Sequence, residues 1–86
     1  MENKKIYVII GGLWFDSVNG NTYHATKIID TATGETYYTR YQYGYGSQYK
    51  TSAAEFIREE LHQENPIIID GGSFKVKKAE AKNGTF

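Results

Sequence analysis

The chain has two histidines, His24 and His62, and no cysteine. Histidine is the side chain whose ordinary pKa suits proton transfer near neutral pH. His24 falls on an expected strand, across a hairpin from Asp16, so the two could form an acid–base pair. No nucleophile or oxyanion feature stands at the spacing of a known motif, and a cross-strand polar pair is the simpler reading. His62 falls at the C-terminus of an expected helix, where it complements the helix dipole. Two histidines without cysteine or clustered carboxylates do not compose a metal site. Gly44-Tyr45-Gly46-Ser47 has the look of a glycine-rich loop opening a helix, and helix N-termini attract anions. It lacks the lysine of the Walker pattern and the third glycine of the dinucleotide fingerprint, so a strand-to-helix turn is expected instead. The sequence therefore assigns no catalytic, cofactor-binding or metal-binding residue.

Tyrosine is the other chemistry-bearing residue type. Five of the eight tyrosines lie between Tyr37 and Tyr45, and Tyr49 follows. Cores rarely use so many phenols, because each buried hydroxyl needs a partner. Exposed tyrosine beside arginine is the composition of protein-binding hot spots and of stacking platforms for single-stranded nucleic acid. Strict alternation puts Tyr37, Tyr41 and Tyr43 on one face of a strand over residues 35–43. It puts Tyr38 and Arg40 on the other. With Tyr37, Tyr41 and Tyr43 packed, the expected contact residues are Tyr38, Arg40, Tyr45 and Tyr49.

A few strands and one helix must position these residues. β-branched and aromatic residues at 6–10 predict a buried first strand, with Gly11-Gly12 as a bulge or close backbone approach. Asn19-Gly20 predicts a type I′ hairpin into a second strand at 23–29. Gly34 closes a second loop into the tyrosine strand. Ser52 and Glu55 have the capping-box form, within a helix that starts there or near Gln48 and reaches Leu61. Ala53, Phe56, Ile57 and Leu61 line one face of it; Glu55, Arg58, Glu59 and Glu64 line the solvent side. Pro66 stops it. A short strand at 67–69, a turn at 70–73 and a half-exposed strand at 74–77 complete the chain. Residues 79–86 are polar and small, and are expected to fray.

The 86-residue length allows one small domain, expected over 1–78 with 79–86 as a flexible tail. Formal net charge is zero, which disfavours a globally basic nucleic-acid binder and an acidic DNA mimic alike. Charge is unevenly placed: residues 51–65 carry a net −3 and residues 66–86 a net +2. The absence of cysteine fits a reducing compartment. No apolar stretch is long enough to cross a membrane, and the start of the chain reads as a strand rather than a targeting segment.

Two resemblances can be stated on particular residues. Trp14-Phe15-Asp16-Ser17-Val18-Asn19-Gly20-Asn21-Thr22-Tyr23-His24 and Tyr43-Gly44-Tyr45-Gly46-Ser47-Gln48-Tyr49 look like segments of a family of short bacteriophage and mobile-element proteins with no assigned activity. That resemblance implies a viral or mobile-element origin and a host or defence protein as target. Gly44, Gly46, Ser47, Lys50, Ala53 and Ala54 loosely resemble the last loop and helix start of a double-stranded-RNA-binding domain. Gln48 and Tyr49 stand where its phosphate-binding lysines belong, and its first helix has no counterpart.

The expected architecture is α+β: an antiparallel β-meander, ordered β-β-β-α-β, with one helix packed on one face. The expected function is that of a small non-enzymatic, phage- or mobile-element-encoded protein. It binds a protein partner in the host cytoplasm through Tyr38, Arg40, Tyr45 and Tyr49, without cofactor or membrane. The alternative is a module for RNA or single-stranded nucleic acid using Arg40, Lys50 and the tyrosines. A homodimer through an open sheet edge is a further expectation.

Overall fold

The computed structural model describes residues 4–44 and 46–86. The first strand, β1 (Ile6–Asp16), is central. It pairs antiparallel with β2 (Asn21–Asp30), which pairs antiparallel with the short β3 (Thr36–Tyr38) and β4 (Gln42–Tyr43). The helix α1 (Gln48–Glu59) crosses one face, here the front, and leads to β5 (Ile67–Lys75) on the other side of β1. A six-residue helix, α2 (Lys78–Asn83), ends the chain on the back face. The α+β class, the antiparallel meander and the single main helix on one face are therefore as the sequence predicts. The last strand differs: it joins β1 in parallel, making the sheet mixed.

Both hairpins use one local device. Asp16 and Asp30 each accept from the backbone N–H two residues on, at 3.0 and 2.9 Å. Four residues on, Gly20 and Gly34 each donate back to the aspartate carbonyl at 2.7 Å, with φ of 70° and 78°. Side-chain capping by aspartate followed by a left-handed glycine makes a four-residue loop. The first hairpin is thus not the expected two-residue type I′ turn, which needs positive φ at Asn19 too; Asn19 instead bonds to the Asp16 carboxylate.

The core lies between α1 and the front of the sheet. Tyr7, Ile9, Ile28, Tyr49, Ala53 and Ile57 are buried there, with Tyr37, Phe56, Leu61 and Ile68 packed around them. The predicted stripe on α1 is the buried one. Gly11 is a close approach, as expected: the Tyr49 ring sits where its Cβ would be, 2.6 Å away. The expected capping box is absent. Ser52 lies inside the helix, buried, and its hydroxyl is committed to His24. The helix stops before Pro66, with His62 and Asn65 in the left-handed region at φ of 54° and 52°.

The segment 70–73 is not a turn. Strand β5 runs through it, gaining one residue on β1 between Ile69 and Ser73, and Gly72 takes φ 90°. This is a β-bulge, whose extra residue reverses the side-chain alternation beyond it. Nor do residues 79–86 fray. Ala81 is buried, Gly84 caps α2 at φ 62°, and the Glu80 carboxylate accepts from the Lys77 N–H at 2.9 Å. The Phe86 ring fills the space beside Gly12, edge-on to Tyr38 and Phe74. That apolar anchor at the far end of a polar segment is what ties it down.

Candidate functional site

The fate of the tyrosines is decided between β3 and β4. Lys27 lies opposite Tyr38, while His24 lies opposite Gln42, so the 39–41 segment holds one residue more than the β2 stretch facing it. The bulge is closed by Thr39. Its N–H donates to the Thr26 carbonyl at 2.9 Å, and its hydroxyl accepts from the Thr26 N–H at 2.8 Å. One extra residue turns every later side chain to the other face. Tyr37 stays on the front against Phe56, but Tyr41 and Tyr43 join Tyr38 on the back. The expected grouping of Tyr37 with Tyr41 and Tyr43 is thereby corrected.

The back face carries a continuous aromatic array at the end where α2 docks. The rings of Trp14 and Tyr23 lie 5.9 Å apart, Tyr23 and Tyr41 stack at 5.1 Å, and Tyr43 stands edge-on to Tyr23 at 5.8 Å. Lys78 lies over Trp14 at 5.1 Å and Lys82 over Tyr41 at 5.6 Å, both from α2. Tyr43 is 60% exposed. The Tyr41 hydroxyl is buried and finds no hydrogen-bond partner among the described residues. Burial pushes its pKa above the usual phenol range.

The four expected contact residues are not brought together. Arg40 is exposed, at the rim of a groove of about 500 Å³ between the bulge and α1, which also includes Gln42, Ser52, Glu55, Glu59 and Glu60. Tyr38 is half-buried, its hydroxyl donating to the Phe86 carbonyl at 3.0 Å. Tyr49 is a correction: it is a core residue, 5% exposed, whose hydroxyl donates to Asp70 Oδ1 at 2.9 Å. Its ring fills the room left by Gly11 and its carbonyl accepts from the Thr26 hydroxyl at 2.9 Å, so it is needed inside. Tyr45 lies outside the described residues, as do residues 1–3 of the expected 1–78 domain. Lys50, the cation expected to meet phosphate in the alternative reading, is paired with Asp70 at 3.0 Å. Trp14, Tyr23, Tyr41 and Tyr43 were not singled out as a surface by sequence. The signal available was Trp14 facing Tyr23 across the first hairpin, but placing Tyr41 and Tyr43 with them required the bulge.

His24 does not meet Asp16. Leu13 is its cross-strand partner, and the Asp16 carboxylate serves its own loop. His24 is wholly buried, with Nδ1 3.1 Å from the Gly44 carbonyl and Nε2 2.7 Å from Ser52 Oγ. A carbonyl can only accept, so Nδ1 carries the proton and the Ser52 hydroxyl donates to Nε2. Burial lowers the His24 pKa, partly opposed by the bond to Gly44. A hydroxyl, an unprotonated imidazole nitrogen and an orienting carbonyl form the inner half of a nucleophile–base pair. Ser52, however, is buried within the helix, only 6% exposed. The trio ties α1, β2 and the 44 turn together. Gly44 belongs to the same knot, since its Cβ would lie 2.9 Å from His24 Cε1 and 2.5 Å from Gln48 Cγ.

Among the described residues no group of three or more histidine, aspartate or glutamate side chains could hold a metal ion, and no helix is long and apolar enough to cross a membrane. No family model, curated protein or solved structure matches the chain.

Proposed function

We propose that this chain is a small non-enzymatic binding protein that recognises a protein partner through its aromatic back face. The observation that carries the reading is the Trp14–Tyr23–Tyr41–Tyr43 array, with Tyr43 exposed. Tyrosine and tryptophan present large, rigid contact area at low entropic cost, and they dominate binding hot spots. Tyr38 shares the back face with the array, while Arg40, exposed at the rim of the groove on the α1 side, flanks that face across the β3–β4 edge; Tyr45 follows in sequence. The resemblance to short phage and mobile-element proteins extends the proposal to origin and target: a host or defence protein met in the host cytoplasm.

Protein is favoured over nucleic acid by how the rings are already used. Tyr23 is stacked on Tyr41, and lysines lie over Trp14 and Tyr41, so ring faces that would receive bases are occupied. Lys50 is neutralised by Asp70, and Arg40 shares its groove with three glutamates.

The test is affinity capture from bacterial lysate, with and without nuclease, by the native chain and by the double variant Arg40→Ala/Tyr43→Ser. Both positions are exposed, so the fold is expected to survive, checked by circular dichroism. A protein captured despite nuclease, and lost with the folded double variant, supports the proposal. Capture abolished by nuclease would replace it with nucleic-acid binding. Equal capture by the folded variant would remove both the back face and the Arg40 rim from consideration.

A further inference from the structure

The outer edge of β5 is the long open edge of the sheet. At the other side, β3 spans three residues and is cut by the bulge at 39–41, whereas β5 spans nine. Open edges usually carry charge or proline to discourage pairing. Here the edge strand exposes Ile67 at 44%, Ile69 at 50% and Phe74 at 48%. All three side chains lie on the back face, in line with Val8 and Gly12 of β1.

We infer that β5 pairs antiparallel with β5 of a second copy, about a two-fold axis at Gly71–Gly72 that runs perpendicular to the sheet. The register follows from the backbone. Ile67 and Val76 donate their N–H groups to Lys5 and Leu13, at 2.9 Å each, so these two positions face inward. Alternation on either side of the bulge then turns the N–H and C=O groups of Ile68, Asp70, Ser73 and Lys75 outward. A two-fold axis between Gly71 and Gly72 maps this set onto itself. Ile68 meets Lys75 of the second copy and Asp70 meets Ser73 of the second copy, each as a hydrogen-bonded pair that exchanges two backbone bonds.

The same axis makes the side chains match. Without the bulge, Ile69 and Phe74, five residues apart, would point to opposite faces. With it they share the back face, so Ile69 of one copy lies directly opposite Phe74 of the other, twice. Ile67 opposes Val76 on that face in the same way. Facing pairs of aromatic and β-branched residues are favourable cross-strand neighbours. A slip of one residue would set apolar side chains against the front-face Asp70 and Lys75, so the register is specified. Zero net charge leaves no long-range repulsion between copies. The two sheets would become one, with both copies of α1 on its front, and the aromatic array would remain free at each far end.

The inference stands apart from the proposed partner surface and fails or holds independently of it. Sedimentation velocity over a concentration series is expected to show a monomer–dimer equilibrium. I69K sets a charge opposite Phe74 at a half-exposed position, and is expected to raise the dimer dissociation constant roughly tenfold or more while circular dichroism stays native. The absence of native cysteine makes a register test direct. I69C and F74C, mixed and oxidised, are expected to crosslink as a heterodimer, because facing Cβ atoms in such a pair lie within disulfide reach. Either variant alone is expected to crosslink far less. A chain that stays monomeric at every concentration overturns the inference, and the bulge is then an edge guard. A dimer untouched by folded I69K, or one whose I69C and F74C variants do not crosslink on mixing, overturns it equally. Should I69K fail to fold, the cysteine pair decides.

Discussion

At His24, burial and hydrogen bonding pull the proton in opposite directions. Desolvation disfavours the imidazolium, the bond to the Gly44 carbonyl favours it, and the net pKa is lowered from 6.5. The sign of the consequence is fixed by linkage. The unfolded chain takes up a proton near the ordinary histidine value, while the folded chain does so only at lower pH. Between these points the unfolded state binds more protons, so stability falls as pH drops through that window and levels off below the folded-state pKa. Urea melts from pH 8 to pH 5, a range of about three units around the ordinary histidine value, are expected to show this decline. His24→Asn is expected to flatten it, because asparagine keeps a donor for Gly44 and does not titrate; an unchanged slope would place the titration elsewhere. Tyr41 makes the opposite kind of prediction. Its buried hydroxyl has no partner among the described residues. Tyr41→Phe is therefore expected to raise stability by about 1 kcal/mol in a denaturant melt, since it removes an unsatisfied polar group. A loss of that size would mean that the hydroxyl is bonded in solution.

Among the elements, α1 was largely legible and the last third of the chain was not. Ala53, Phe56, Ile57 and Leu61 recur at helical spacing, and local sequence suffices to show which face packs. The loops at 16–20 and 30–34 were legible as loops, because aspartate and glycine act on their own backbone. Residues 70–73 and 79–86 misled for one shared reason. Glycine, polar and small residues are the ordinary signals of turns and tails, yet here distant groups override them. Strand β1 holds Asp70–Ser73 in line as a bulge, and Gly12 opens a slot that Phe86 fills. Phe86→Ala should therefore unfold α2 first. Amide exchange at residues 79–83 is expected to rise to that of a frayed segment, and global stability to fall by about 1–3 kcal/mol for a partly buried aromatic. Unaltered protection of α2 would mean that the helix is held by its caps alone.

For the molecule as a whole, one small core joins β1, β2, α1 and β5, which lie far apart in the chain. Tyr7 and Ile9 come from β1, Tyr49 and Ile57 from α1, and Ile68 from β5. Unfolding is accordingly expected to be a single cooperative step. Trp14, the sole tryptophan, lies on the back face beneath Lys78, whereas far-UV circular dichroism reports mainly on the sheet and α1. Coincident denaturation midpoints by fluorescence and circular dichroism are the expected result; an earlier fluorescence transition would make the back face and α2 a separate unit. The sequence by itself determined the α+β class, the order of the elements through α1 and the apolar stripe of the helix. These depend on residue type and on periods of 2 and 3.6, which are local. Tertiary structure decided the parallel placement of β5, the burial of Tyr49, the His24–Ser52 bond and the face to which Tyr41 and Tyr43 point. Each depends on a register between segments far apart in the chain, and a single inserted residue, at 39–41 or at 70–73, inverts the alternation on which sequence reading relies.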